Sequence, residues 1–133
     1  MNPASCIVDV RSENHRKRKD GHSDICLKFT YKNEGDTVVI VQSATARVCF
    51  RLGGPGCRQR YCTSIRHSVR FEVDGKSFDE IVIPMGETVV FNGCTSLQAV
   101  SNADHEEIDI ELYEKFPSQD FIRSILIAVS GCN

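Results

Sequence analysis

Ile25-Cys26-Leu27-Lys28-Phe29-Thr30-Tyr31-Lys32 alternates without a break: Ile25, Leu27, Phe29 and Tyr31 fall on one side, Cys26, Lys28, Thr30 and Lys32 on the other. Successive side chains of an extended chain point to opposite faces, so this octapeptide reads as a strand with one buried and one solvated face. Asn33-Glu34-Gly35-Asp36 follows as a turn signal, and Thr37-Val38-Val39-Ile40-Val41 opens a β-branched run. Upstream, Cys6, Val8 and Val10 alternate with Asp9 and Arg11. Residues 11–24 are then polar and basic, with Asp20-Gly21 as a turn, and are expected to form a loop.

The same period continues downstream. Val48, Phe50 and Leu52 oppose Arg47, Cys49 and Arg51. Gly53-Gly54-Pro55-Gly56 is neither strand nor helix, which predicts an arginine-bearing loop over 53–65. Val69, Phe71 and Val73 form the next apolar face, and Asp74-Gly75 predicts a tight hairpin into Lys76–Ile83. Pro84-Met85-Gly86 ends that strand, Glu87–Asn92 forms another, and Ser96–Val100 a short one. Ile108, Ile110 and Leu112 alternate with Glu107, Asp109, Glu111 and Tyr113. Pro117-Ser118-Gln119-Asp120 resembles a helix start, so one helical turn at 118–122 followed by a strand is expected. The expectation for residues 1–133 is a single all-β domain. It is an antiparallel β-sandwich, jelly-roll-like or immunoglobulin-like, of eight or nine short strands with at most one or two helical turns. A distorted barrel is the alternative.

A chain of 133 residues holds one sizeable core, and no apolar run reaches the length of a membrane span. No basic segment followed by an apolar one opens the chain, so no secretory signal is expected. The net charge of −2 conceals an asymmetry. Residues 1–70 carry 13 Lys/Arg against 6 Asp/Glu (+7), and residues 71–133 carry 3 against 12 (−9). Either the fold interleaves the halves and compensates them within one sheet, or it presents two faces of opposite potential. Seven cysteines (Cys6, Cys26, Cys49, Cys57, Cys62, Cys94, Cys132), an odd number, argue against a closed disulfide framework and for a reducing, intracellular setting, cytoplasmic or nuclear.

Enzyme signatures are missing: there is no G-x-S-x-G, no G-x-x-x-x-G-K-[ST], no H-E-x-x-H and no G-x-G-x-x-G. The expected class is therefore non-enzymatic and without a cofactor. Zinc is the one metal with a candidate ligand set, Cys57-x4-Cys62-x4-His67, with His22 or Cys26 as a fourth donor. No C-x2-C knuckle supports it.

The strongest chemical feature is arginine. Arg47, Arg51, Arg58, Arg60, Arg66 and Arg70 occupy a window free of Lys, Asp and Glu. The planar guanidinium suits bidentate contacts to phosphate or carboxylate. If the strands of Arg47 and Arg70 are neighbours, these residues line one basic surface, with Tyr61 as a platform for a stacked base. Arg16-Lys17-Arg18-Lys19 adds a second cluster, suited to phosphates or to a nuclear-import address. The first expectation is a binding protein for RNA or another polyanion. The alternative is a self-assembling or host-protein-binding sandwich with no nucleic acid, in which the basic face meets an acidic strand bearing Glu107, Asp109, Glu111 and Glu114 of another copy. No family is recognised in the residues. A compact single sandwich with basic loops would fit a small viral accessory protein, including a suppressor of host RNA defence, by analogy of fold alone.

Overall fold

A computed structural model describes residues 5–52, 59–98 and 105–128. Eleven strands are formed there: β1 (Cys6–Lys17), β2 (His22–Asn33), β3 (Val39–Leu52), β4 (Gln59–Cys62), β5 (His67–Ser68), β6 (Arg70–Val73), β7 (Lys76–Phe78), β8 (Ile81–Ile83), β9 (Thr88–Gln98), β10 (His105–Phe116) and β11 (Gln119–Ala128). They build two antiparallel sheets. The first has the order β1-β2-β9-β6-β7; in the second, β11-β10-β3 run side by side and β4, β5 and β8 pair in turn with β3. The all-β sandwich expected from the alternation is the observed architecture. No helix among the described residues is long and apolar enough to cross a membrane.

Period two translates directly into burial. Ile25, Leu27, Phe29 and Tyr31 are buried, and their even-numbered neighbours are not. From the facing sheet come Val39, Val41, Ala44, Ala46 and Val48 of β3 and Ile108, Ile110, Leu112 and Phe116 of β10, all in the same hydrophobic cluster. Phe91 stacks on Phe29 (centroids 4.9 Å apart) and receives the edge of Phe71 (5.5 Å). Gly93 sits beside this aromatic group because nothing larger fits. A Cβ there would lie 2.6 Å from Val69 Cγ1 and 2.7 Å from Phe29 Cε2. The Asp74-Gly75 hairpin forms as expected, with φ of 52° and 78°, the two left-handed residues of a type I′ turn.

Several expectations need correction. The arginine-bearing loop expected over 53–65 contains β4 (Gln59–Cys62), whose residues pair with β3. The run Lys76–Ile83 divides into β7 and β8 on different sheets, so the described residues form eleven strands rather than eight or nine. The basic segment 11–24 is mostly strand: pairing runs to Lys17 opposite Ser23, leaving residues 18–21 as the turn. Polar side chains on a solvated strand face oppose nothing, so local polarity did not mark a loop. The helical turn at 118–122 is not formed; Pro117-Ser118 turns the chain and β11 pairs with β10 from Gln119 onward. The ten positions offered by β10 outweigh a local capping preference. The strand begun at Glu87 runs on to Gln98 as the long β9, absorbing the first part of the separate strand placed at Ser96–Val100; residues 99 and 100 lie outside the described residues.

Candidate functional site

The arginines divide between the two sheets. Arg47 projects from the outer face of β3, directly opposite Asp109 of β10, and its Nε donates to Asp109 Oδ2 at 2.7 Å. Arg66, just before β5, joins the same carboxylate: Nη1 lies 3.3 Å from Asp109 Oδ2 and 3.2 Å from Glu111 Oε1. Its Nη2 donates to the Asp109 carbonyl at 3.0 Å and its Nε to Thr45 Oγ1 at 2.8 Å. Arg60 of β4 lies 3.8 Å from Glu107. Burial alone would push the Asp109 carboxyl up, but the hydrogen bonds from Arg47 and Arg66 outweigh it and hold it below the usual carboxylate range. Among the described side chains, the face pairs three arginines with three carboxylates as a ladder.

Arg70 and Tyr61 do not join it. β6 pairs with β9 and β7, so Arg70 belongs to the other sheet, where it meets Glu72 at 3.2 Å. The strands of Arg47 and Arg70 are not neighbours, which removes the premise of a single arginine surface. Tyr61 is opposite Phe50 and stacks on it, centroids 5.6 Å apart. It follows Arg60 in an extended strand, and adjacent side chains point to opposite faces. Arg51 is in β3 opposite Arg60 and His105; Arg58 and Cys57 lie outside the described residues. At the β1–β2 tip, Arg18 donates to Ser96 Oγ at 2.8 Å and is 3.6–3.7 Å from Asp20 and Asp24. Arg16 and Lys19 are exposed, and Lys17 ends β1.

Four of the thiols are not free ligands. Cys26 and Cys94 face each other on β2 and β9, Cys49 and Cys62 on β3 and β4, and both pairs are disulfides. Directly opposed cysteines on adjacent strands are placed for this by register, which a cysteine count does not reveal. Two of the proposed zinc donors are thus engaged, and the argument from reduced thiols to a reducing compartment loses its basis. Among the described residues no group of three or more His, Cys, Asp or Glu is disposed to hold a metal. His22 and His67 do share a cleft of about 330 Å³, with Val48, Thr63, Ser64, Ile65, Leu97 and Gln98.

One polar constellation escaped the sequence reading. Glu114 was assigned to the acidic outer face, but it points inward and is fully buried. Arg123 of β11 grips it with two bonds, Nε to Oε2 at 2.9 Å and Nη2 to Oε1 at 3.1 Å, and Tyr31 Oη donates to Oε1. Arg123 Nη1 also reaches the Cys6 carbonyl at 3.3 Å, joining β11 to β1 of the other sheet. Burial, reinforced by Glu114, pushes the Tyr31 phenol far above its ordinary range, and burial likewise raises the free thiol of Cys6. The clue was parity, since Glu114 is in phase with Ile110, Leu112 and Phe116.

β11 itself is unusually bare. Ile122 (54% exposed) and Leu126 (42%) share the outer face with Ser124.

No family model and no curated protein matches the chain. Solved structures resemble it in fold. The Northeast Structural Genomics Consortium target SoR45 aligns at TM-score 0.53 and 13% identity over 93% of this chain and 86% of its own. A protein from Archaeoglobus fulgidus aligns at 0.52 and 7%, over 92% and 91%. The sporulation control protein Spo0M from Bacillus subtilis aligns at 0.53 and 12%, over 96% of this chain and 50% of its own. At these identities the likeness is one of fold alone.

Proposed function

We propose that the protein is a non-catalytic β-sandwich module that binds other proteins rather than nucleic acid. The observation that carries this reading is the arginine ladder. Arg47, Arg60 and Arg66 already face Asp109, Glu107 and Glu111 of the neighbouring strand, so a phosphate would have to displace a carboxylate tethered beside each guanidinium. Half-buried, multiply bonded pairs of this kind are costly to break. The exposed apolar residues of β11 supply, in contrast, the surface type that protein contacts use.

Fluorescence anisotropy with labelled single- and double-stranded RNA and DNA tests the reading. Weak binding that disappears by about 150 mM salt is expected, since exposed charges are largely screened there. Binding that survives at that salt overturns it. A polyanion reading would then rest on the β1–β2 tip, where Arg16 and Lys19 are exposed. Arg16→Ala with Lys19→Ala would in that case reduce the salt slope by about one unit per lost phosphate contact.

A further inference from the structure

We infer that the protein-binding surface is the free margin of β11 and that its occupant is a second copy of the chain, added antiparallel about a two-fold axis at Ser124. The inference rests on the protein-binding reading and names its partner.

The margins of the two sheets differ in how they resist strand addition. β1 is long but carries Asp9, Arg11, Glu13 and Arg16, and its register shifts between Ser12 and Asn14. β7 has three residues and β4 four. Charge, bulges and shortness are the usual protections of an edge. β11 has no bulge against β10, ten paired residues and little charge. Its pairing with β10 is unbroken from Phe116 opposite Gln119 to Glu107 opposite Ala128, and its only charged residues are Asp120 and Arg123. Arg123 is committed to Glu114. Among the described residues no strand pairs with the other side of β11.

Which backbone groups are free follows from alternation. Thr63 N donates to the Val48 carbonyl at 3.0 Å, so the backbone groups of Val48 face β4 and those of Cys49 face β10. Cys49 is opposite Glu107, and Glu107 is opposite Ala128. The N–H and C=O of Ala128, and by parity those of Leu126, Ser124, Ile122 and Asp120, therefore point to the open margin. The two-residue turn at Pro117-Ser118 gives the same parity from the other end, because Phe116 and Gln119 close it.

Those five residues are self-complementary. With Ser124 opposite its own copy, Ile122 meets Leu126 of the second chain, and Asp120 meets Ala128, in each half. Reciprocal bonding at five positions makes about ten inter-chain hydrogen bonds, the number found in a standard-sized interface. The outer-face apolar residues cover one another across the seam, and no like charges abut. Asp120, the outward carboxylate of β11, falls at each end of the seam opposite Ala128, and Glu111 is one strand away and held by Arg66. A net charge of −2 adds little long-range repulsion between copies. A two-fold interface in which each patch meets itself is the commonest route to a closed dimer.

The test is sedimentation velocity on the full chain over a concentration series, with two variants and a cross-link. Wild-type protein is expected to move from monomer to dimer mass. Ser124→Pro removes an N–H that faces only the open margin and should raise the dimer dissociation constant about tenfold or more, as should Leu126→Lys, with circular dichroism unchanged. Under mild oxidation Ser124→Cys should cross-link to its own copy while Ile122→Cys does not, because only position 124 faces itself. Protein that stays monomeric overturns the inference, as does a dimer insensitive to both variants or an equal cross-link at 122. The anisotropy experiment separates the two levels. A monomer that binds no nucleic acid refutes the second copy and leaves the protein-binding reading standing; a monomer that binds RNA at physiological salt refutes both.

Discussion

Glu114 holds a carboxylate where water does not reach, and its compensation comes from three directions: the two-pronged Arg123, the Tyr31 phenol, and the carbonyl of Cys6 that anchors the same guanidinium. Removing one member of such a set strands the other. Arg123→Ala is therefore expected to lower stability by about 3–5 kcal/mol in urea unfolding. Replacing both groups, as Glu114→Leu with Arg123→Leu, should restore most of that loss, since no buried charge is then left unpaired. A single variant as stable as the parent would mean that water reaches Glu114 after all. Gly93 is the steric counterpart. Gly93→Ala drives a methyl into Val69 and the Phe29 ring and should cost about 1–3 kcal/mol by the same measurement, because neither neighbour is the loose end of a flexible chain. Parity marked Glu114, in phase with Ile110 and Leu112, but nothing in the residues alone marked Gly93. Glutamate inside an acidic run gives no sign of pointing the other way unless the alternation is carried one step further, and a lone glycine in a strand does not say what approaches it.

At the scale of elements, β3 and β10 are one electrostatic unit. Asp109 has a depressed pKa in the folded chain because Arg47 and Arg66 both bond to it, against the cost of burial. A depressed carboxylate contributes stability above its unfolded pKa, near 3.9, and loses that contribution as pH falls through its folded value. Asp109→Asn should therefore be less stable than the parent at pH 7, by about 2 kcal/mol. The gap should close as both are titrated below about pH 4, followed by denaturant melts at each pH. A gap independent of pH would assign the loss to packing. The strands themselves were readable, because one buried and one wet face impose period two on the residue order. Their partners were not. Arg47 and Asp109 lie far apart in sequence, and only the β3–β10 register shows that they meet. The helix start at Pro117 was misleading for the same reason: a local preference is visible in four residues, while the competing ladder lies in the ten that precede them.

Across the whole molecule, the +7 and −9 halves of the chain are interleaved, with β3 of the first lying against β10 of the second, so internal compensation describes the arginine face better than two opposed potentials. Two covalent links cross the same fold. Cys49–Cys62 spans 13 residues and Cys26–Cys94 spans 68. By loop-closure entropy these contribute about 3 and about 4 kcal/mol respectively. Reducing agent should accordingly lower the melting temperature of the parent and leave a Cys26→Ser, Cys94→Ser, Cys49→Ser, Cys62→Ser variant unmoved; an unchanged parent would mean the thiols are not joined in solution. The topology also orders events during synthesis. β2 lies against β9 and β3 against β10, so the first strands made have their neighbours among the last. Until β9 and β10 leave the ribosome, two apolar faces wait uncovered and the carboxylates that neutralise Arg47, Arg60 and Arg66 do not yet exist. The emerging chain carries +7 when residue 70 has been made, falls to +3 by Glu87 (14 Lys/Arg against 11 Asp/Glu) and turns negative only within β10, so repulsion between unfinished copies is strongest before the second half exists.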